Sequence, residues 1–344
     1  MSRNADPCPL VSIALATYNA GAYLGEQMDS LLAQSYPHLE IVVSDDGSTD
    51  DTRARLARYA AADARVRLLP QQDRLGFNGN FARCFAACRG AYISPCDQDD
   101  RWHPEKTARL LAACQRHGGA AYCDSTFIDD AGRPLRQQGR ARFSELKVMQ
   151  SDPPALRLLF SNCVSGHALM FPRALLAQVG VVPEGGYFDW AIALAARVND
   201  LPLTYLDQPL VAYRRHPAAV TVSGPPPRAA GKAARLWALR WAMLGAALAH
   251  RGVAPTGLPS PLAFQSVLKA WLDGYCCLAM VRTLLPHRHQ VLPERTPAAR
   301  LLTVLGLFWG YRLRALIRPR RYPAIRRIGQ RVEFVNADTP ARRP

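Results

Sequence analysis

The chain has 344 residues, 49% of them hydrophobic and 20% charged, which is ample for a large core and excludes a disordered or fibrous chain. Its formal net charge of +16 sits at one end: residues 1–224 carry 23 basic and 23 acidic side chains, whereas residues 225–344 carry 20 and 4. No apolar run reaches the ~18 residues of a membrane-spanning helix and the polar start has no leader pattern, so the expected compartment is the cytoplasm.

In chain order, short apolar runs alternate with helical periodicities. Residues 11–16 read as a buried strand, 22–34 as a helix, 40–44 as a strand and 50–62 as a helix, with Ser48, Thr49 or Asp50 available to cap it. Residues 66–69 read as a strand, 77–88 as a helix, and 91–94 as a strand running into an acidic cluster. A helix over 105–117 is entered at Pro104, and 120–123 is a further strand. This alternation predicts an α/β fold, a mostly parallel sheet with helices on both faces, and ligands beyond the carboxyl ends of its strands. Further on, 129–132 reads as a turn, 166–171 as a strand, 188–198 as a helix, and 203–206 and 210–213 as a closing pair of strands. Pro225-Pro226-Pro227 sets a domain boundary after residue 224. The remainder, 225–344, reads as helices rich in Ala, Leu and Arg with an Arg-rich end. The nine cysteines show no metal-ligand spacing and read as free thiols, mostly in the core.

Three polar clusters follow strand ends. Asp97-Gln98-Asp99-Asp100 offers hard carboxylate oxygens for Mg²⁺ or Mn²⁺, which in turn bind a diphosphate; an acidic turn in water is the plainer reading. Ser44-Asp45-Asp46-Gly47-Ser48-Thr49-Asp50 can accept hydrogen bonds from a base and a ribose, or simply start a helix, with Gly47 permitting the tight turn. Thr17-Tyr18-Asn19 can place an aromatic ring against a base.

Together these segments resemble glycosyltransferase family 2, the inverting transferases of the GT-A fold. The opening run 11–19, Asp45 to Asp50, Gln72 to Asn80 and Asp97 to Asp100 stand in the family's order and spacing, and the resemblance covers residues 9–224. It implies that Thr17, Tyr18, Asn19, Asp45, Asp46 and Arg74 hold the nucleotide of a sugar donor. It implies that Asp97 and Asp99 form the metal-binding pair, with Asp99 the direct ligand, Asp97 also touching the donor, and Asp100 standing behind the metal or meeting the sugar. Gly186-Tyr187-Phe188-Asp189-Trp190 is similar to the acidic motif that carries the catalytic base. Here only Asp189 can fill that role, because the motif's usual second neighbour is not a carboxylate; Phe188 precedes it where relatives often have His or Glu. In Tyr213-Arg214-Arg215-His216, His216 would complete the metal site or touch the diphosphate. His103, His117 and His167 receive no role. The combination is most similar to bacterial rhamnosyltransferases, which implies dTDP-L-rhamnose as donor and a saccharide or lipid-linked saccharide as acceptor in surface-glycan synthesis.

The basic end admits other readings. Residues 301–311 are apolar nearly all round and flanked by Arg300, Arg312, Arg314 and Arg318. They suit a helix lying on an anionic membrane surface at the cytoplasmic face of the inner membrane, with Trp237, Arg240 and Trp241 as a second contact. Packing into the core or into a contact between copies is the alternative. A non-catalytic protein that grips nucleic acid through this end is the rival function; against it, the segment has no zinc spacing or recognition signature.

Overall fold

The computed structural model describes residues 8–217 apart from 138, 180–181 and 183–185, and beyond these residues 267, 270, 277–286, 288–291, 296–307, 324–328 and 331–335. Two compact units result, the first made of residues 1–153, 163–178 and 187–216, the second of 154–162, 179–186 and 217–344. The expected break at Pro225 to Pro227 lies outside the described residues.

The first unit is built on a nine-stranded sheet. Strands β1 (Val11–Thr17) and β2 (Leu39–Asp45) are buried along their whole length apart from Ala16, as strands covered on both faces must be. They alternate with α1 (Leu24–Leu32), α2 (Thr52–Ala62), β3 (Val66–Leu68), α3 (Gly76–Ala87) and β4 (Tyr92–Cys96). Helix α1 buries Leu24, Gln27, Met28 and Leu31, the spacing of one helical face. After the two-residue β5 (Arg101–Trp102) comes α4 (Lys106–His117). It stops at Gly118, whose φ of 72° lets its N–H return to the Cys114 carbonyl.

The sheet order is β3-β2-β1-β4-β8-β6-β9-β5, with β6 (Ala120–Ile128), β8 (Leu169–Pro172) and β9 (Leu203–Arg214), and with β7 (Pro134–Leu135) attached to β6. The first four strands are parallel. Beyond β4 the sheet is mixed: β8 is antiparallel to β4 and β6, β9 is parallel to β6, and β5 is antiparallel to β9. The mostly parallel expectation therefore holds for one half of the sheet.

Two local expectations differ from the structure. Residues 203–206 and 210–213 are one strand, β9, not two. The exposed Asp207, Gln208 and Pro209 that read as a break are absorbed as an irregularity: two steps along β6, from Cys123 to Ser125, match five along β9, from Leu206 to Val211. Proline is tolerated in such a bulge because its missing N–H interrupts no ladder. The strand read over 166–171 starts instead as a 3₁₀ turn, Gly166–Ala168, before β8. The Gly166 N–H is bound by the Asp189 carboxylate, at 2.9 Å, and is not available to a neighbouring strand. Asp189 itself lies in the first turn of α7 (Phe188–Val198), which follows α5 (Ala155–Phe160) and the short α6 (Leu176–Val179) in the chain.

In the second unit, α5 (Ala155–Phe160) packs on the helix Arg288–Val291, which packs on the helix Pro297–Gly306. Thr296 caps that last helix through its hydroxyl, and Pro297 opens it. Leu301, Leu302 and Leu305 are exposed on it, Leu302 by 70%, whereas Val304 is buried. Residues 308–311 of the expected surface helix, and Trp237, Arg240 and Trp241, lie outside the described residues. The Arg-rich end also holds an antiparallel hairpin, Ala324–Ile328 with Arg331–Val335, where helix was expected. Among the described residues no helix is long and apolar enough to cross a membrane.

Candidate active site

Because β1, β2 and β4 run parallel in adjacent positions, their carboxyl ends lie side by side: Thr17 stands opposite Asp45, and Leu15 opposite Cys96. The three polar clusters of the sequence meet there. Thr17 donates its hydroxyl to Asp45 at 2.9 Å, and the N–H and hydroxyl of Ser48 also reach the Asp45 carboxylate, at 3.0 and 2.5 Å. Asp46 accepts the N–H groups of Leu75 and Gly76, at 2.6 and 2.9 Å, so it holds the entry to α3. Both carboxylates are thus engaged in shaping the loops around them. Asn19 has a φ of 48° and accepts the Thr49 N–H at 2.8 Å, while its own N–H reaches Ser48. Gly47 has a φ of 80°, the turn its residue type predicts. Of the three cap candidates, Asp50 accepts from Thr52 at the start of α2.

Tyr18 and Arg74 form a pair at the rim, with the guanidinium 4.0 Å from the ring centroid and 3.9 Å from the Asp46 carboxylate. The main chain of Tyr18 is clasped by Gln98: its N–H donates to the side-chain oxygen at 2.7 Å and its carbonyl accepts from the amide nitrogen at 3.1 Å. Gln98, the residue between the two aspartates, thereby ties the nucleotide-side loop to the acidic loop. The sequence reading gave it no role.

The acidic loop carries closely spaced charges. Burial, then the neighbouring Asp99 and Asp189 carboxylates, push Asp97 up to about 7. Burial, with Asp99 and Asp97 beside it, pushes Asp100 well above the usual carboxylate range. Asp100 is fully buried; one oxygen accepts the Arg214 N–H at 2.9 Å, and the other has no hydrogen-bond partner among the described residues. Asp99 meets His216 Nε2 at 2.7 Å, and His216 Nδ1 is buried without a partner among the described residues. Asp189 is close enough for its charge to be felt by Asp97, and burial raises it to about 6. Its oxygens accept from Gly166 and from its own helix at Trp190. A cation faces this group of acids: Lys106 is fully buried, donates to the His167 carbonyl at 2.7 Å, and is lowered to about 8 by burial.

A divalent ion fits these residues. The Asp99–His216 pair presents an oxygen and a nitrogen 2.7 Å apart, near the ~3 Å edge of an octahedron with bonds of ~2.1 Å. A second set lies deeper: ligand atoms of Asp97, Asp100 and His167 fall within 4.8 Å of one another. The orphaned Asp100 oxygen faces this demand for a hard partner. Asp97 adjoins both sets. His167, which the sequence left unassigned, is stacked on Tyr213 and bonded to Ser125, and burial holds its ring down at about 3, so it is neutral and able to act as a ligand.

This α/β sheet, with an acidic loop beyond β4 and a second carboxylate on α7, is similar to known glycosyltransferases. Residues 12–180 match the model of glycosyl transferase family 2. TuaG of Bacillus subtilis, a glycosyltransferase assigned by name to teichuronic acid biosynthesis, is 34% identical over 128 residues, 37% of this chain and 51% of that protein. The glycosyltransferase RT0329 of Rickettsia typhi, itself uncharacterised, is 28% identical over 218 residues, 57% of this chain and 66% of that one. The chain thus spans about half the length of TuaG. In fold it is similar to TarS of S. aureus, crystallised with UDP-GlcNAc: TM-score 0.56 and 17% identity over 96% of this chain and 98% of that one. The fold is of the GT-A type. The family match thus covers just under half of the chain.

Proposed function

We propose that the protein moves a sugar from a nucleoside-diphosphate donor to a hydroxyl of a saccharide or lipid-linked saccharide, inverting the anomeric carbon, in the synthesis of a bacterial surface glycan. The observation that carries this reading is the convergence of the acidic loop with Asp189: its carboxylate holds Gly166, the neighbour of the His167 that gathers with Asp97 and Asp100. Thr17, Tyr18, Asn19, Asp45, Asp46 and Arg74 frame the nucleotide, and Asp97 and Asp100 face the diphosphate and sugar. Asp97, Asp99 and His216 would hold Mg²⁺ or Mn²⁺, which when bound neutralises the departing diphosphate. Asp189 takes the proton of the acceptor hydroxyl as that oxygen attacks, and the bond to the diphosphate breaks in the same displacement. dTDP-L-rhamnose is the proposed donor. The test is release of nucleoside diphosphate from a panel that includes dTDP-L-rhamnose, UDP-GlcNAc and GDP-mannose, each with Mn²⁺ or Mg²⁺. Turnover of dTDP-L-rhamnose above the others is expected. Selective turnover of another donor would replace rhamnose, and inertness towards every donor, with and without saccharide acceptors, would sink the reading.

The Gln98 clasp makes a separable prediction. Gln98→Ala removes two hydrogen bonds to the Tyr18 main chain, each contributing about 1 kcal/mol. The donor KM should therefore rise by up to about thirtyfold with little change in kcat. An unchanged KM would show that the two loops are held together by other means.

The exposed Leu301, Leu302 and Leu305 beside a basic chain end support a peripheral place on an anionic membrane surface at the cytoplasmic face of the inner membrane. The full chain is expected to float with vesicles containing phosphatidylglycerol, and less so at high salt. Equal flotation with neutral vesicles, or none with either, would remove this part of the reading.

A further inference from the structure

We infer that Arg214 is a positioning residue that, with Glu26 and Tyr23, sets the direction of the Asp99 carboxylate. The inference rests on the proposed role of Asp99 in holding a divalent cation.

Arg214 ends β9, and its side chain is completely shielded from solvent. Its guanidinium has four acceptors: the carbonyl oxygens of Asp99 at 2.8 Å and of Asp129 and Asp130 at 2.9 Å each, and the Glu26 carboxylate at 2.7 Å. Its own N–H donates to the Asp100 carboxylate. One side chain therefore binds α1, the acidic loop after β4 and the turn after β6. A buried cation needs such a set of partners, because an unpaired charge shielded from water is strongly unfavourable. A planar fork of five donors suits three carbonyls and a carboxylate, which the three donors of a lysine ammonium cannot reproduce.

The contacts close into a ring around Asp99. The Tyr23 hydroxyl donates to the Asp130 carboxylate at 3.1 Å, and Arg214 holds the Asp130 carbonyl. Arg214 also holds the Asp99 carbonyl, and the Asp99 carboxylate meets His216 at 2.7 Å. His216 in turn lies 4.6 Å from Tyr23, ring to ring, and the same tyrosine lies beneath the guanidinium at 4.9 Å. With its carbonyl fixed, Asp99 has little freedom to swing its carboxylate away from His216. The two ligand atoms are thus held in place before any ion arrives, and this lowers the cost of binding one.

The test uses the full chain and the variants Arg214→Met, Arg214→Lys and Glu26→Gln, with two readouts. The first is hydrogen exchange of peptides covering 97–102 and 129–132. The second is Mn²⁺ affinity, followed by electron paramagnetic resonance with Mn²⁺ as the only added ligand. Faster exchange confined to those two segments, and Mn²⁺ binding weakened 10- to 100-fold in both Arg214 variants, are expected. Glu26→Gln should show a smaller loss of the same kind, and it carries the test where an Arg214 variant fails to fold. Unchanged exchange at 97–102 overturns the inference. So does a uniform rise that includes β1 and α3, which would mark Arg214 as a general stabiliser. If the wild type binds no Mn²⁺ but the local exchange effect is present, the metal reading falls and the positioning role stands.

Discussion

Asp189→Asn is expected to lower turnover by about 10²-fold or more while leaving donor binding close to normal. The substitution keeps the size of the side chain, and its amide oxygen can still accept the Gly166 N–H that Asp189 holds at 2.9 Å. What it loses is the capacity to take a proton, together with the second acceptor that Asp189 offers the Trp190 N–H at 2.6 Å. The pH profile supplies a second measure. Burial raises Asp189 from 3.8 to about 6, so the carboxyl stays protonated, and inactive as a base, up to that pH. In the wild type kcat should rise with pH through about 6 and level off above it, and that limb should vanish in Asp189→Asn. The linkage to stability has the opposite sense. A folded pKa above the unfolded one contributes stability below about pH 4 that is lost as pH rises through about 6. Replacing the carboxyl with an amide should therefore improve thermal stability relative to wild type above pH 6. Transfer by Asp189→Asn at the wild-type rate would place the base elsewhere.

Asp99→Ala is expected to abolish transfer, and excess chelator should do the same to the wild type. The substitution removes a hard oxygen donor and leaves His216 Nε2 without its partner at 2.7 Å. His167→Ala discriminates between the two donor sets. Asp97 with Asp99 and His216 is the set proposed to hold the ion, so His167→Ala should keep measurable metal-dependent activity. If His167→Ala is as inactive as Asp99→Ala and also fails to bind Mn²⁺, the deeper set of Asp97, Asp100 and His167 is the one that matters. Full activity in excess chelator would remove the metal from the mechanism.

Much of the parallel half of the sheet was legible from the sequence because its signals are local. Buried runs such as 11–16 and 40–44 became β1 and β2 nearly residue for residue, and the polar clusters after them fell at strand ends as the alternation predicts. The second half was harder. β5 and β7 have two residues each, too few to show any period, and β9 contains a proline and an exposed triplet that read as a break. The site residues missed were those whose role depends on distant partners. Gln98 reaches back to Tyr18, Lys106 to His167, and Arg214 across to Glu26, and no spacing in the sequence announces these pairings. Only Arg214 had a visible hint, its place two residues before His216. Asp45 and Asp46 were legible as polar residues at a strand end, but their bonding was not: the structure shows them bonded to Ser48, Leu75 and Gly76, shaping the loops they stand in.

The irregularity in β9 makes chain length there a determinant of the site. Side chains along a strand alternate between faces, so the surplus residues between Leu206 and Val211 decide which face each later residue serves. With the present length, Tyr213 lies against His167 and the guanidinium of Arg214 turns towards Asp99. Losing one residue among Asp207, Gln208 and Pro209 would exchange those two roles without altering a single site residue. A one-residue deletion at this surface segment is therefore expected to disturb the site more than its exposed side chains suggest.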